Sequence, residues 1–204
     1  MSALCSRFTA ILLGLALLPW AATATTVIPP SFPQLVKNSD YVVQAVVKSV
    51  TAINKAPPSR RPLVYSRVEL DVEQVVAGNP PSPLILEVLG GTLDGVEMHI
   101  SGAPTFTVGE KAIFFVQGNG TQIFPLTRMM HGLYPIKKDP ASGREYVTRS
   151  NGQPMENVDQ VQQPLHAEPL TAAARHQLVT GALSPADFIV QIRLAAKEVK
   201  ASEK

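Results

Sequence analysis

The chain of 204 residues contains a single cysteine, Cys5, which lies in a segment that we expect to be removed. A mature protein without cysteine forms neither a disulfide nor a thiolate metal site, and it has no cysteine nucleophile. Such a protein must be stabilised by its core alone. An exported protein without disulfides is more typical of a bacterial periplasm or culture medium than of a eukaryotic extracellular space.

Charged residues are also scarce, at 17% of the chain, and the formal net charge is +2. The Lys and Arg residues are scattered along the sequence. Binding to nucleic acid requires that cations cluster on one face, so we expect no nucleic-acid partner. The hydrophobic fraction of 45% is sufficient for an ordinary globular core.

The sequence lacks any recognisable catalytic or metal-binding motif. No serine stands in a G-x-S-x-G elbow or in the context of a catalytic triad. The histidines do not have the spacing of metal ligands, and we interpret all of them as scattered surface residues: His99, His131, His166 and His176. We therefore expect no enzymatic activity, no cofactor and no metal site.

One catalytic arrangement stays open, because folding could bring four acid–base side chains together: Asp94, Glu97, His99 and Glu110. Local structure offers another explanation for two of them. We expect Asp94 and Gly95 to form a hairpin turn, and Glu110 to cap the backbone that follows it. A hydrolase with a carboxylate and histidine site assembled from loops is thus the alternative to a non-enzymatic protein.

The N-terminus has the features of an export signal. A positive charge precedes an apolar run from Phe8 to Trp20, and Ala22 and Ala24 provide the small-x-small pattern that signal peptidase recognises. The run is shorter than the about 20 residues that a spanning helix needs, which argues against an uncleaved anchor. We predict that residues 1–24 are a signal peptide, that the mature chain begins at Thr25, and that it is periplasmic or secreted without a stable membrane anchor.

Residues 25–150 are predicted to form one domain, and from about residue 40 onwards they show the alternation that is typical of β-strands. In the clearest segment, Val68, Leu70 and Val72 alternate with charged residues. Turn signals separate seven or eight such segments, and no helical period lies among them. We predict an all-β domain, either a small antiparallel barrel of the OB-like or netrin-like type or a sandwich. The Gly118–Gly120 turn should join a strand at Ile113–Val116 to another at Gln122–Phe124.

The C-terminal part has a different composition. Residues 151–169 are rich in Gln, Asn and Pro and predict a linker, whereas residues 170–204 predict a helical appendage. Its first helix should run from Leu170 to Val179, and its second should begin after Ser184 as N-cap. An apolar stripe on the second helix consists of Phe188, Ile192, Ala195, Ala196 and Val199. We expect this stripe to pack on the β domain; contact with a partner, or self-association of a structural envelope protein, is the other interpretation.

The order of these segments resembles that of an uncharacterised family of exported bacterial all-β proteins. That family has an AD-x-V-V-x-G-x-V strand, then a V-x-x-V-x-K-G strand end, and later a GG pair followed by G-x-P-x-F-x-x-G-E. The corresponding stretches here are SDYVVQAVVKSV, YSRVELDVEQVVAGNP, LEVLGG and ISGAPTFTVGEKAIFFV, with Ala77 and Gly78 in place of the Lys-Gly. The residues that match in place, which we call the motif residues, are Asp40, Gly78, Gly90, Gly91, Gly102, Pro104, Phe106, Gly109 and Glu110. The resemblance covers roughly residues 38–136, implies a structural role for the motif residues and implies no reaction.

The first half of the chain is more remotely similar to netrin-like domains, including the tissue inhibitors of metalloproteinases. Those proteins have an OB-type barrel and an N-terminal cysteine that reaches the zinc of a protease. No cysteine follows Ala24 here, so the similarity implies the barrel and not the inhibitory mechanism. We expect an exported, non-enzymatic binding or accessory protein, whose partner is a secreted protease or a component of the cell envelope.

Overall fold

The structure is a computed structural model that describes residues 28–165 and 171–202. The predicted signal peptide, including Ala22 and Ala24, lies outside these ranges. The elements in chain order are helix α1 (Phe32–Lys37), strands β1 (Tyr41–Asn54), β2 (Val64–Gly78), β3 (Leu84–Leu89), β4 (Gly91–Leu93), β5 (Val96–Met98), β6 (Lys111–Val116), β7 (Leu133–Lys138) and β8 (Glu145–Val147), and helices α2 (Ala172–Gly181) and α3 (Pro185–Ser202). Two 3₁₀ helices span Met129–Gly132 and Val158–Gln162. The predicted mostly-β chain with C-terminal helices is confirmed.

Six strands form one antiparallel sheet in the order β3-β2-β1-β6-β7-β8, and β4 and β5 form a separate hairpin. The pairing of β1 with β2 shifts register at three places, and such irregularities bend a strand. The bend does not close the sheet, because β3 and β8 remain at its edges and do not pair with each other in the described ranges. The sheet is therefore open and is not a closed barrel.

Other parts of the chain cover both edges of this sheet. At β8, the Val147 amide donates to the Leu183 carbonyl at 2.9 Å, and the Met155 amide donates to the Val147 carbonyl at 3.0 Å. At β3, the Leu89 amide donates to the Ile123 carbonyl at 2.9 Å. These bonds occupy backbone groups of Val147 and Leu89, at one end of each edge strand, which barrel closure or pairing with another strand would otherwise use.

The sheet carries an apolar layer on each face. On one face, the helix core, Phe115 and Tyr134 of the sheet contact Phe188 of α3, with ring centroids 6.1 and 5.0 Å apart. On the other face, the strand core, side chains of β1, β2, β3 and β6 pack on one another, with Phe106 and Phe124 against them. The bent strands make this second core possible, since a flat sheet would hold these side chains apart.

The predicted second C-terminal helix is confirmed as α3. The Ser184 hydroxyl accepts a hydrogen bond from the Asp187 amide at 3.1 Å, as an N-cap does. The buried residues of α3 are Phe188, Ile189, Ile192 and Ala195, and the helix contacts α1, β2 and β8. The apolar stripe therefore packs on the chain's own sheet.

In the described ranges no single helix is long and apolar enough to cross a membrane, although α2 and α3 together reach the required length and composition, with a bend of 54° between them.

Two expectations about connecting segments need correction. Gln122–Phe124 is not a strand, and the chain instead returns to β6 at an isolated pair between Val116 and Leu126. The reason is local, because the Gln122 amide donates to the Gly118 carbonyl at 2.8 Å and closes a turn of its own.

The predicted linker also does more than cross the surface. Its residues Met155 and Val161 are fully buried in the helix core. Neither is part of an apolar period, so the composition of the segment did not reveal them. Residues 166–170, where the first C-terminal helix was predicted to start, lie outside the described ranges, and α2 begins after Thr171 as N-cap.

Candidate functional site

Four motif residues line one cleft of about 260 Å³, which we call the motif cleft: Gly90, Gly91, Pro104 and Phe106. Its walls come from the end of β3, the β4–β5 hairpin and the loop at 103–106. The cleft also holds Val50 and Val88 from the neighbouring strands. It is the place where the structure brings the largest number of motif residues together.

The glycine pair shapes one wall of the motif cleft. Gly90 has a φ of 111° and Gly91 a φ of 133°, values that residues with a side chain rarely adopt. The Gly90 amide donates to the Val64 carbonyl at 2.9 Å, and the Ser66 hydroxyl donates to the Gly90 carbonyl at 2.8 Å. A Cβ on Gly91 would lie 2.6 Å from that hydroxyl oxygen. The pair thus turns the chain from β3 into the hairpin.

The predicted turn at Asp94 and Gly95 is confirmed. Their φ angles are 49° and 78°, and the flanking residues Leu93 and Val96 pair across the hairpin. Two successive residues with positive φ match the twist of an antiparallel pair. This turn holds Asp94 exposed at the hairpin tip.

Asp40 and Gly78 meet at another place, the start of β1. The Asp40 carboxylate accepts a hydrogen bond from the Gly118 amide at 2.7 Å, which ties the end of β6 to β1. Gly78 pairs with Tyr41 and has a φ of 73°. A Cβ on Gly78 would lie 2.3 Å from the Asp40 carbonyl oxygen, so only glycine allows this approach. Both contacts are structural.

Gly109 and Glu110 lie at a third place, against the middle of β1. The Gly109 amide donates to the Val47 carbonyl at 2.8 Å, and the Val47 amide donates to the Glu110 carbonyl at 2.9 Å. The expectation that Glu110 caps the backbone is wrong, because its carboxylate instead contacts the Lys137 ammonium at 2.5 Å. Gly102, with a φ of 77°, lies in an exposed turn.

The four acid–base residues do not converge. Glu97 and His99 line the motif cleft and are exposed. Asp94 lies at the hairpin tip, and Glu110 is held by Lys137 elsewhere. The structure therefore assembles only half of the set that a hydrolase would need. Among residues 28–165 and 171–202, no three His, Cys, Asp or Glu side chains lie close enough to hold a metal ion.

The interpretation of His131 as a surface residue is wrong. His131 is 5% exposed and lies in the 3₁₀ helix before β7. Burial, together with the charges of Arg149 and Arg128, lowers its pKa to about 4. His99 and His176 are exposed as expected, and His166 lies outside the described ranges. The short run of apolar residues after His131 was the only sequence signal for its burial.

Arg149 is the other buried charge that sequence reasoning missed. Its side chain is 3% exposed, and its guanidinium donates to the carbonyls of Gln163 and Pro164. Burial lowers its pKa, and no carboxylate in the described part of the chain pairs with it. These bonds hold the segment after β8 against the sheet, which is a structural role.

Comparison of the chain with models of protein families found no match, and a search of curated proteins found no significant similarity. The resemblance of residues 38–136 to exported bacterial all-β proteins therefore stays a prediction, as does the remote similarity to netrin-like domains.

Proposed function

We propose that this protein is an exported, non-enzymatic binding protein and that the motif cleft contacts its partner. The observation that supports this is the construction of the cleft, in which apolar side chains from several separate segments alternate with polar ones; the apolar ones are Val50, Val88, Leu89, Met98, Ile100, Pro104 and Phe106. A concave apolar surface with a few polar groups is typical of a binding site. Its acid–base side chains, Glu97 and His99, are exposed and lack the partners of a catalytic set.

The way the cleft is built also favours binding. Its walls are fixed by backbone hydrogen bonds at Gly90 and by the paired β4–β5 hairpin. A preorganised surface loses little conformational entropy when a partner binds. Backbone groups of Leu89 and Val147, one on each edge strand of the large sheet, already bond within the chain, which disfavours strand addition there and leaves side-chain contacts to carry the interaction.

The proposal extends to the fold type and the compartment. The bent strands β1 and β2 and the strand core that they enclose support a partly open barrel of the OB-like type. The export signal supports a partner in the periplasm or medium, either a secreted protease or a component of the cell envelope.

The test is a pull-down from periplasm and medium with the mature protein as bait. Thr105 lines the cleft and is exposed, so Thr105→Trp should block it without disturbing the core. Thr107→Trp, at an exposed position of the same loop outside the cleft, is the matched control. We expect a stoichiometric partner with wild type and control, and its loss with Thr105→Trp. Capture that is equal for all three baits, or no stoichiometric partner, would contradict the proposal.

A hydrolase is the second candidate, and it is supported by the position of Glu97 and His99 in the same cleft. If the protein is a hydrolase, it should turn over an ester, peptide or glycoside substrate, and Glu97→Gln and His99→Gln should each abolish this turnover. Turnover that survives either substitution, or no turnover of any of these substrates, would rule out a hydrolase at this cleft.

A further inference from the structure

A second concave surface, separate from the motif cleft, lies between α1, α3 and the adjacent ends of β1 and β2. We call it the basic groove, and its volume is about 390 Å³. Its floor is apolar and recessed, since Val36, Val42 and Val76 are each at most 7% exposed. Ala196 and Val199 of α3 form one apolar wall.

Cations follow the rim of this groove. Arg193, Lys197 and Lys200 are all exposed and stand at helical positions i, i+4 and i+7 of α3. That spacing places them on one face of the helix, directly beside the apolar wall. Lys37 adds a further cation from the end of α1.

These α3 cations have no acidic partners in the described part of the chain. None of its ion pairs involves Arg193, Lys197 or Lys200. The one acidic residue that lines the groove is Asp40, and its carboxylate already accepts the Gly118 amide. The groove is therefore apolar in its floor and positively charged at its rim.

We propose that the basic groove binds an acidic segment of a partner protein, with an apolar side chain inserted into the floor and carboxylates paired with Arg193, Lys197 and Lys200. The complementary charges guide the segment to the groove and set its orientation, and the buried apolar contact stabilises the complex.

The recessed floor favours a peptide over a membrane surface. Membrane-binding faces project apolar side chains outward among cations, so that these side chains enter the lipid. Here the apolar floor is buried while the cations are exposed, and Val190 and Leu194 are the two large apolar side chains that α3 projects outward, too few for a membrane-binding face. The volume lies at the low end of the about 300–1,000 Å³ of small-ligand sites, which suits one inserted side chain.

The experiment is selection of random peptides on the mature protein by phage display, followed by fluorescence anisotropy with the selected peptides. We expect Asp and Glu to be enriched beside a large apolar residue. The triple variant R193E/K197E/K200E should weaken binding by about tenfold or more, and added salt should weaken wild-type binding. The variant R60E/R61E/R175E has the same net charge and changes exposed arginines away from the groove, so it should bind within about twofold of wild type.

Two further variants separate the alternatives. Ala196→Trp fills the groove with its cations intact and should abolish peptide binding, while circular dichroism verifies the fold. Thr105→Trp in the motif cleft should bind the peptides as wild type does, so this proposal can fail while the proposed function stands. Selected peptides without acidic residues would overturn the proposal, as would equal binding by the two triple variants. A membrane contact would give a different result. The wild-type protein would bind none of the peptides but would cosediment with anionic phosphatidylglycerol vesicles, and of the two triple variants only R193E/K197E/K200E would lose this cosedimentation.

Discussion

At the scale of single residues, His131 makes the stability of the fold depend on pH. Its pKa is about 4 in the folded protein and about 6.5 in the unfolded chain. The unfolded state therefore binds the additional proton between these values. Stability from this group is fully present above pH about 6.5 and is lost progressively as the pH falls towards about 4. The positive charges of Arg149 and Arg128 act in the same direction as burial.

We expect the free energy of unfolding to fall by about 2 kcal/mol through His131 between pH about 7 and about 5. Urea denaturation at both pH values measures this loss. The His131→Gln variant cannot bind this proton, so its free energy of unfolding should fall by about 2 kcal/mol less than that of wild type over the same pH interval. His99→Gln, at an exposed position, is the control and should lose as much as wild type. An equal pH dependence for His131→Gln and wild type would contradict this assignment.

Gly78 is the second residue on which a local geometry depends. The substitution Gly78→Ala places a Cβ against the Asp40 carbonyl at a positive φ, and we expect a loss of about 3 kcal/mol from strain and overpacking. Gly95→Ala, also at a positive φ but with no atom within 4 Å of the added Cβ, should lose about 1 kcal/mol. Urea denaturation midpoints compare the two variants. Equal losses would show that the close approach at Gly78 does not matter.

At the scale of elements, α3 is an integral part of the fold. Its Phe188 is fully buried and contacts three rings, those of Phe32, Phe115 and Tyr134. These rings come from α1, β6 and β7, so one side chain of α3 joins three other elements. The hydrogen bonds of Leu183 with Val147 and Met155 attach the start of the helix to the sheet edge.

Truncation of this side chain should therefore destabilise the whole protein. We expect Phe188→Ala to reduce the free energy of unfolding by about 3–5 kcal/mol, because it removes a large buried ring and leaves a cavity. Val190 lies on the opposite side of α3 and is 53% exposed, so Val190→Ala should change the free energy of unfolding by less than about 0.5 kcal/mol. Thermal or urea denaturation measures both. If Phe188→Ala instead altered the oligomeric state and left stability unchanged, the apolar stripe would serve self-association.

At the scale of the whole molecule, the protein depends on its two cores, since no disulfide is available after Cys5. The helix core and the strand core share the central strands β1 and β6. Damage to either core therefore reaches the same two strands, and we expect unfolding in one cooperative transition.

Export is predicted at this scale as well. Mass spectrometry of the exported protein should find Thr25 as the first residue, and Ala24→Leu should cause the precursor to accumulate, since signal peptidase requires a small residue there. Substitution of Thr26 by Ala leaves the recognition pattern intact and should not affect cleavage. Recovery of the full-length chain from membranes would support an uncleaved anchor.

Local patterns were sufficient for much of the fold. Alternation of Val68, Leu70 and Val72 with charged residues predicted a strand that the structure contains within β2, and Ser184 as N-cap predicted the start of α3. The Asp94–Gly95 turn was predicted from residues that adopt positive φ readily. These features depend on neighbours in sequence, which is why the sequence contains them.

Features that depend on distant residues could not be predicted in the same way. Ile189 is buried in α3 beside the predicted stripe, and the helix contacts α1, β2 and β8, an arrangement that no local pattern encodes. The split of the motif residues among the motif cleft, the start of β1 and the middle of β1 depends on strand order. The basic groove exists only because α3 docks beside α1, which lies at the other end of the described chain.

The sequence by itself determined the absence of disulfides, the existence of most strands and the capping of the last helix, because each follows from composition or from short-range geometry. The tertiary structure decided that the sheet stays open, since Leu183 and Ile123 occupy its edges. It also decided that His131 is buried and Glu110 is paired with Lys137. Edge pairing, burial and ion pairing are interactions between residues far apart in the chain, and only the folded arrangement brings them together.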